Sequence, residues 1–218
     1  MQTVAIVQAR LSSTRLPRKA AADICGKSLL QRVVDRVKLA STVRKIVVAV
    51  PSEEPDTLDY VELGRDVKGF LGSRDDVLDR FYQCAKAHDA DPIVRITADD
   101  PFKDPDVIDR VVRTLTKTHA DYVSTDDSFP VGMVVEAFTF QSLEMAWCNA
   151  ESDYDKEHVT PYIYKHEDIF DVRWVKNDRN EGHVRLTVDT PEDLERAREL
   201  YARLPEGFRM REIRGGVG

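Results

Sequence analysis

Two patterns of apolar positions take turns along this chain. Val4-Ala5-Ile6-Val7 and Ile46-Val47-Val48-Ala49-Val50 are apolar without a break. Runs of that length suit strands buried on both faces. The same reading predicts strands over residues 67–71, 92–97, 168–175 and 183–188, with a looser extended segment over 131–140. Between them the period changes. Leu29, Leu30, Val33, Val34 and Val37 recur at helical spacing behind Ser28, a natural N-cap. Further helices are predicted over 54–64 (acidic, stopped at Gly64), 75–87, 105–117 and 141–149, with 156–165 interrupted at Pro161. Thr190-Pro191-Glu192-Asp193 opens a last helix with Thr190 as its cap, and the tail from Phe208 reads as frayed.

Strand and helix in alternation, with crossovers of helical length, predict an α/β fold whose central sheet is mostly parallel and covered by helices on both faces. With 218 residues, 42% of them hydrophobic, the chain is long enough for one large domain. We take residues 1–207 as that domain and 208–218 as a tail. No apolar run approaches the roughly 20 residues of a membrane helix, and the start lacks the pattern of a secretory signal. Cys25, Cys84 and Cys148 are far apart and odd in number, as expected of reduced thiols in a cytoplasmic protein. A net charge of −7 argues against a nucleic-acid partner, which calls for a basic face.

The charge is unevenly spread. Residues 1–22 carry Arg10, Arg15, Arg18 and Lys19 and no acid, with Ser12, Ser13 and Thr14 between the cations. This loop leaves the first strand, where a parallel sheet places its ligands. Two readings fit: a solvated basic loop, or a site for a polyanion such as a nucleoside triphosphate. Asp99 ends the strand 92–97, and Asp189 follows the strand 183–188. Acids on two separate strand ends, opposite cations, suit Mg²⁺ held together with phosphates. Turn chemistry at Asp100-Pro101 and helix capping near Asp189 are the plainer alternatives.

Gln8-Ala9-Arg10, Ser13-Thr14-Arg15-Leu16-Pro17 and Lys19 resemble the opening signature of the cytidylyltransferases that activate acidic sugars, such as 3-deoxy-manno-octulosonate and acylneuraminate cytidylyltransferases. Gly26-Lys27, Gly72-Ser73, Asp76-Val77-Leu78-Asp79-Arg80, Arg95-Ile96-Thr97-Ala98-Asp99, Glu157-His158-Val159-Thr160-Pro161-Tyr162 and Asp189-Thr190-Pro191-Glu192-Asp193-Leu194 look most like the spore-coat polysaccharide branch of that group. The resemblance implies a Rossmann-like nucleotide-diphospho-sugar transferase fold. It implies transfer of CMP from CTP to a small anionic acceptor (sugar acid, sugar or alditol phosphate, or phosphonate), with Mg²⁺ as cofactor. Arg10 and Lys19 would contact the triphosphate, supported by Ser13 and Arg15. Gln8, Ala9, Gly72 and Ser73 would lie along the nucleotide. Asp99 and Asp189 would be the metal ligands, with Arg10, Lys19 and Asp99 the catalytic set. Glu136, His158 and Tyr162 would face the acceptor. Residues 131–175 would form a small α+β subdomain outside the main sheet, for acceptor binding and for pairing into a homodimer. A glycosyltransferase using a nucleotide-sugar donor is the alternative on the same fold.

This chain departs from the family pattern twice. Arg18 stands where glycine usually precedes the loop lysine, so it either alters the loop or adds a cation. Gly132-Met133-Val134-Val135-Glu136 lacks the aspartate relatives carry before the glutamate, which points to a less polar or differently charged acceptor.

Overall fold

The computed structural model describes residues 2–216. Seven strands form one sheet: β1 (Gln2–Gln8), β4 (Lys45–Pro51), β5 (Val67–Gly72), β6 (Ala90–Thr97), β7 (Tyr122–Thr125), β8 (Glu136–Phe138) and β9 (Val172–Val175). A separate hairpin pairs β2 (Asp23–Ile24) with β3 (Lys27–Ser28). The order across the sheet is β5-β4-β1-β6-β8-β7-β9. β5, β4, β1 and β6 run parallel; β8 is antiparallel to both its neighbours, and β9 is parallel to β7.

Alternation along β1 divides the core. Ala5 and Val7 face the helices α1 (Leu29–Lys38), α3 (Pro105–Thr118), α7 (Pro191–Arg203) and α8 (Met210–Gly216). Val4 and Ile6 face α2 (Val77–Ala87), α4 (Phe140–Asn149) and α6 (Pro161–Lys165). The predicted stripe of α1 is fully buried, worth about 1.5–3 kcal/mol per side chain. Ser28 accepts from Gln31 N as its cap, and Thr190 and Asp193 form a reciprocal capping box on α7.

Several elements differ from expectation. Residues 54–64 make only a 3₁₀ turn at Pro55–Tyr60, because a single side chain there, Thr57, is buried. Of the extended segment 131–140, only β8 forms a strand of the sheet. Residues 183–188 run extended but form one isolated bridge, Val131 with Arg185, instead of a strand. The four-residue β7 has no counterpart in the prediction; its apolar signal is confined to Tyr122 and Val123. Residues 131–175 do not stand outside the sheet, since they supply β8 and β9. Nor is the tail frayed as far as Gly216: Phe208, Met210 and Ile213 are buried, and Arg36 lies 3.7 Å from the Phe208 ring centroid. Val217 and Gly218 lie outside the described residues. Among the described residues, no helix is long and apolar enough to cross a membrane.

Candidate active site

β1 lies between β4 and β6, so the chain switches direction across the sheet there, and a cleft opens beyond the carboxyl ends of β1 and β6. Its volume is about 670 Å³, and the basic loop forms one wall.

The loop is tied down from both sides. Arg18 N donates to Leu11 O at 3.0 Å, and Leu16 N to Ser13 Oγ at 3.4 Å. Glu54 accepts from Leu11 N at 2.5 Å and Ser12 N at 3.2 Å, and Arg74 holds its other oxygen at 3.2 Å. Burial pushes the Glu54 carboxyl up, but these bonds outweigh it and leave it below its usual value. Arg18 takes φ 57° and ψ 30°, the left-handed conformation a glycine would supply, at a cost of about 1–2 kcal/mol. Its side chain leaves the cleft, donating to the Tyr60 hydroxyl and lying 5.7 Å from that ring's centroid. The loop is therefore kept, and Arg18 adds no cation to the cleft.

Asp99 and Asp189 come together because the segment 183–188 docks on the end of β6, with Val188 N donating to Asp99 O at 2.8 Å. Lys19 Nζ stands between them, 3.0 Å from Asp99 Oδ2 and 3.0 Å from Asp189 Oδ1, and also donates to Val188 O at 3.3 Å. The two carboxylate oxygens therefore lie within twice that separation. Arg15 adds a bond to Asp189 Oδ1 at 3.0 Å, and Arg185 to Oδ2 at 2.8 Å. Burial raises the Asp99 pKa, but the Lys19 charge and hydrogen bond outweigh it and hold the carboxyl below its usual range. Among the described residues no group of three or more His, Cys, Asp or Glu forms a metal cage. Two converging carboxylates without a third fit Mg²⁺, whose other ligands are nucleotide oxygens and water. Asp100 has a different task. It is buried, paired with Lys103 at 2.9 Å and bonded by Thr97 at 2.7 Å, while Lys103 also donates to Val134 O.

Arg80 is the functional candidate that sequence reasoning missed. It lines the cleft from α2 although only 3% exposed. Its Nη1 donates to Ser73 O at 2.6 Å, whereas its Nε is buried with no partner. Burial, followed by repulsion from Arg10, lowers its pKa to about 10. A buried cation without a carboxylate, beside a second cation, calls for an anionic ligand. Gly72 and Ser73 do not line the cleft; they hold Arg80, and a Cβ on Gly72 would sit 2.8 Å from Arg80 Cγ. The available signal was an arginine on the apolar face of α2, among Val77, Phe81 and Cys84.

Gln8, Ala9, Arg10, Ser13, Arg15, Lys19, Asp99, His158 and Asp189 all line the cleft. Arg10 is exposed and pairs with no carboxylate among the described residues, while Ala9 N is engaged by Ala49 O at 3.2 Å. His158 enters from α5 (Asp153–His158), its ring 4.4 Å from that of Tyr154. Glu136 and Tyr162 do not line the cleft. Glu136 is buried and takes Arg95, Tyr122 (2.6 Å) and Thr160 (2.6 Å) as donors. Tyr162 packs on His166, 4.3 Å between centroids. Val134 faces a separate groove with Val131 and Trp174, so its lost carboxylate does not touch the cleft.

Comparison with known proteins adds a family. Residues 4–211 match the model described as Cytidylyltransferase. An uncharacterized protein of Methanocaldococcus jannaschii is 40% identical over 213 residues, covering 95% of this chain and 85% of that one. The spore coat polysaccharide biosynthesis protein of Bacillus subtilis is 32% identical over 211 residues, 92% and 87% of the two chains. A solved cytidylyltransferase from Leptospira borgpetersenii superposes with a TM-score of 0.90 at 27% identity, covering 100% of this chain and 94% of that one.

Proposed function

The chain belongs to the cytidylyltransferase family, and on that premise we propose that it transfers CMP from CTP to a small anionic acceptor and releases pyrophosphate. The observation that carries the reading is the Lys19 ammonium joining Asp99 to Asp189 at the foot of a cationic loop. In the reaction an acceptor oxygen attacks the α-phosphorus and the β,γ-phosphates leave in line. Catalysis of this kind rests on positioning and charge neutralisation. Arg10, Arg15, Lys19 and Arg80 would bind and orient the triphosphate, with Lys19 and Arg15 leaving the carboxylates for phosphate oxygens. Asp99 and Asp189 would hold Mg²⁺, which when bound polarises the α-phosphoryl group. An acceptor attacking through an oxygen already ionised needs no protein base.

A screen of nucleoside triphosphates against sugar acids, sugar phosphates and phosphonates, read as pyrophosphate release with Mg²⁺, tests this directly. The expected result is release that requires CTP and an anionic acceptor together. Release of a nucleoside diphosphate from a nucleotide sugar would favour the glycosyltransferase reading. Two further expectations stand beside it: reaction in the cytoplasm, and a homodimer. Exposed Val131, Val134 and Trp174 offer a pairing face, and sedimentation of Trp174→Glu beside wild type tests it.

A further inference from the structure

β6 and β8 lie antiparallel with Arg95 directly opposite Glu136, and the two side chains form an ion pair across the strands. Glu136 is buried off the cleft, and Tyr122 and Thr160 both donate to its other oxygen. Burial pushes the Glu136 carboxyl up, but Arg95, Thr160 and Tyr122 outweigh it and keep the group ionised. Arg95 differs from its partner: it lines the cleft, with 14% of its side chain exposed. Nη1 goes to Glu136 and Nε goes to Gln8 Oε1 at 3.1 Å. Nη2 has no protein partner among the described residues and is not buried.

The contact with Gln8 sets the orientation of that amide. Arginine only donates, so Gln8 must turn its oxygen to Arg95, leaving the Nε2 donors without a protein partner. Thr97, two residues along β6, has already given its hydroxyl proton to Asp100. Thr97 thus presents only an acceptor, and the donors beside it are the guanidinium edge of Arg95 and the Gln8 amide; Glu157 also lines the cleft, from exposed α5. Such a pair of donors recognises an oxyanion. Arg95 has its counter-ion on β8, whereas the charged groups acting most on Arg80 are Arg10, Glu54 and Glu53.

We propose that Arg95, with the Gln8 amide beside it, is the oxyanion receptor that selects the acceptor, and that Glu136 is the residue that positions it. The assignment rests on reading the cleft as the transferase site; it replaces direct acceptor binding by Glu136 and Tyr162, and it moves Gln8 from the nucleotide to the acceptor. Isothermal titration tests it on CTP-loaded protein, with Ca²⁺ in place of Mg²⁺ to prevent turnover. The anionic probes are 3-deoxy-manno-octulosonate and glycerol 3-phosphate, and methyl glucoside is the neutral control. Wild type should bind an anionic probe and ignore the neutral one. Arg95→Gln should weaken anion binding at least about tenfold, with CTP affinity kept within about twofold. Arg95→Lys should fall between, and Glu136→Gln should shift anion binding in the same direction without changing CTP affinity or the circular dichroism spectrum. Equal anion binding by wild type and Arg95→Gln would overturn the proposal. So would neutral-probe binding as strong as anionic, no anionic binding to wild type at millimolar concentration, or loss of CTP affinity in Arg95→Gln. If wild type does not bind CTP, titration without nucleotide still decides. A loss on Arg95→Gln then keeps the receptor and discards the transferase reading.

Discussion

Replacing Lys19 with methionine separates what the ammonium does for the fold from what it does for the reaction. The variant keeps the stem and loses three acceptors: Asp99 Oδ2, Asp189 Oδ1 and Val188 O. A hydrogen bond to a charged group is worth about 1.5–3 kcal/mol when its partner is left dry. Here the partners are wet or shared. The Asp99 side chain is 29% exposed, and Asp189 keeps Arg15 and Arg185. The net loss of stability is therefore about 1–2 kcal/mol, or roughly 2–8 °C in Tm for a chain of this size. The rate should suffer far more. Withdrawing one preorganised charge from a developing phosphate costs about a hundred- to a thousandfold. A third measurement distinguishes the roles further: Mn²⁺ binding to nucleotide-free protein should tighten, because the ammonium that competes for both carboxylates is gone. Thermal unfolding, pyrophosphate release and Mn²⁺ titration on one preparation make the comparison. A Lys19→Met protein with more than about a tenth of wild-type turnover, or with weakened Mn²⁺ binding, would refute the reasoning.

Other substitutions probe the frame around the cleft. Arg80→Met should weaken CTP binding at least about tenfold yet change stability by no more than about 1 kcal/mol, since the lost charge was buried with its Nε unpartnered; titration with CTP and chemical denaturation read the two. Gly132→Ala should cost about 2–4 kcal/mol: the residue sits at φ +98°, and its Cβ would fall 2.6 Å from Thr187 N. Asp109 accepts from Ser41 and Thr42 through both backbone and hydroxyl groups; burial raises its pKa, but these bonds outweigh it and leave it below the usual 3.8. A depressed carboxyl stabilises above its unfolded pKa and loses that contribution as pH falls through its folded value. Asp109→Asn should therefore lower stability by about 1–3 kcal/mol at neutral pH, and its unfolding curve should converge on wild type below about pH 4.

The parts of this molecule that are legible in the sequence are those determined by neighbours along the chain. The buried runs of β1 and β4, the stripe of α1 and the caps at Ser28 and Thr190 depend on residues within a turn or two. The basic loop and the two acids were visible as residue types, and resemblance supplied their pairing. What stayed hidden depends on contacts far apart in sequence. Glu54 holds the loop from 43 residues away, and nothing near either segment announces it. The segment 183–188 has strand-like composition, yet its backbone bonds go to the 131 loop and the end of β6 instead of a ladder. Glu136 looked like a ligand because the resemblance gave it the acceptor side, although its segment departs from the family pattern; only the register of β8 against β6 turns it into the counter-ion of Arg95. Arg18 is the reverse case. A side chain stands where glycine was expected, and Tyr60, 42 residues on, gives its guanidinium a place to go.

Charge ties these pieces together. The acids of the cleft are shared among its cations: Lys19 and Arg15 rest on Asp189, Lys19 reaches Asp99, and Arg185 divides itself between Asp189 and Asp193. Among the described residues, Arg10 and Arg80 take no carboxylate, and Arg80 donates to Ser73 O instead. On the proposed reading, a triphosphate entering the cleft would meet two cations that lose no partner and two that must exchange one. The unpaired pair sets the initial attraction, and the paired ones contribute only the difference between phosphate and carboxylate as a partner. Arg95 has its own counter-ion, Glu136, which is buried and pairs with none of these cations. On the proposed reading, nucleotide and acceptor would be drawn by separate cations with separate counter-charges, so Arg95→Gln should weaken acceptor binding while CTP binding is kept.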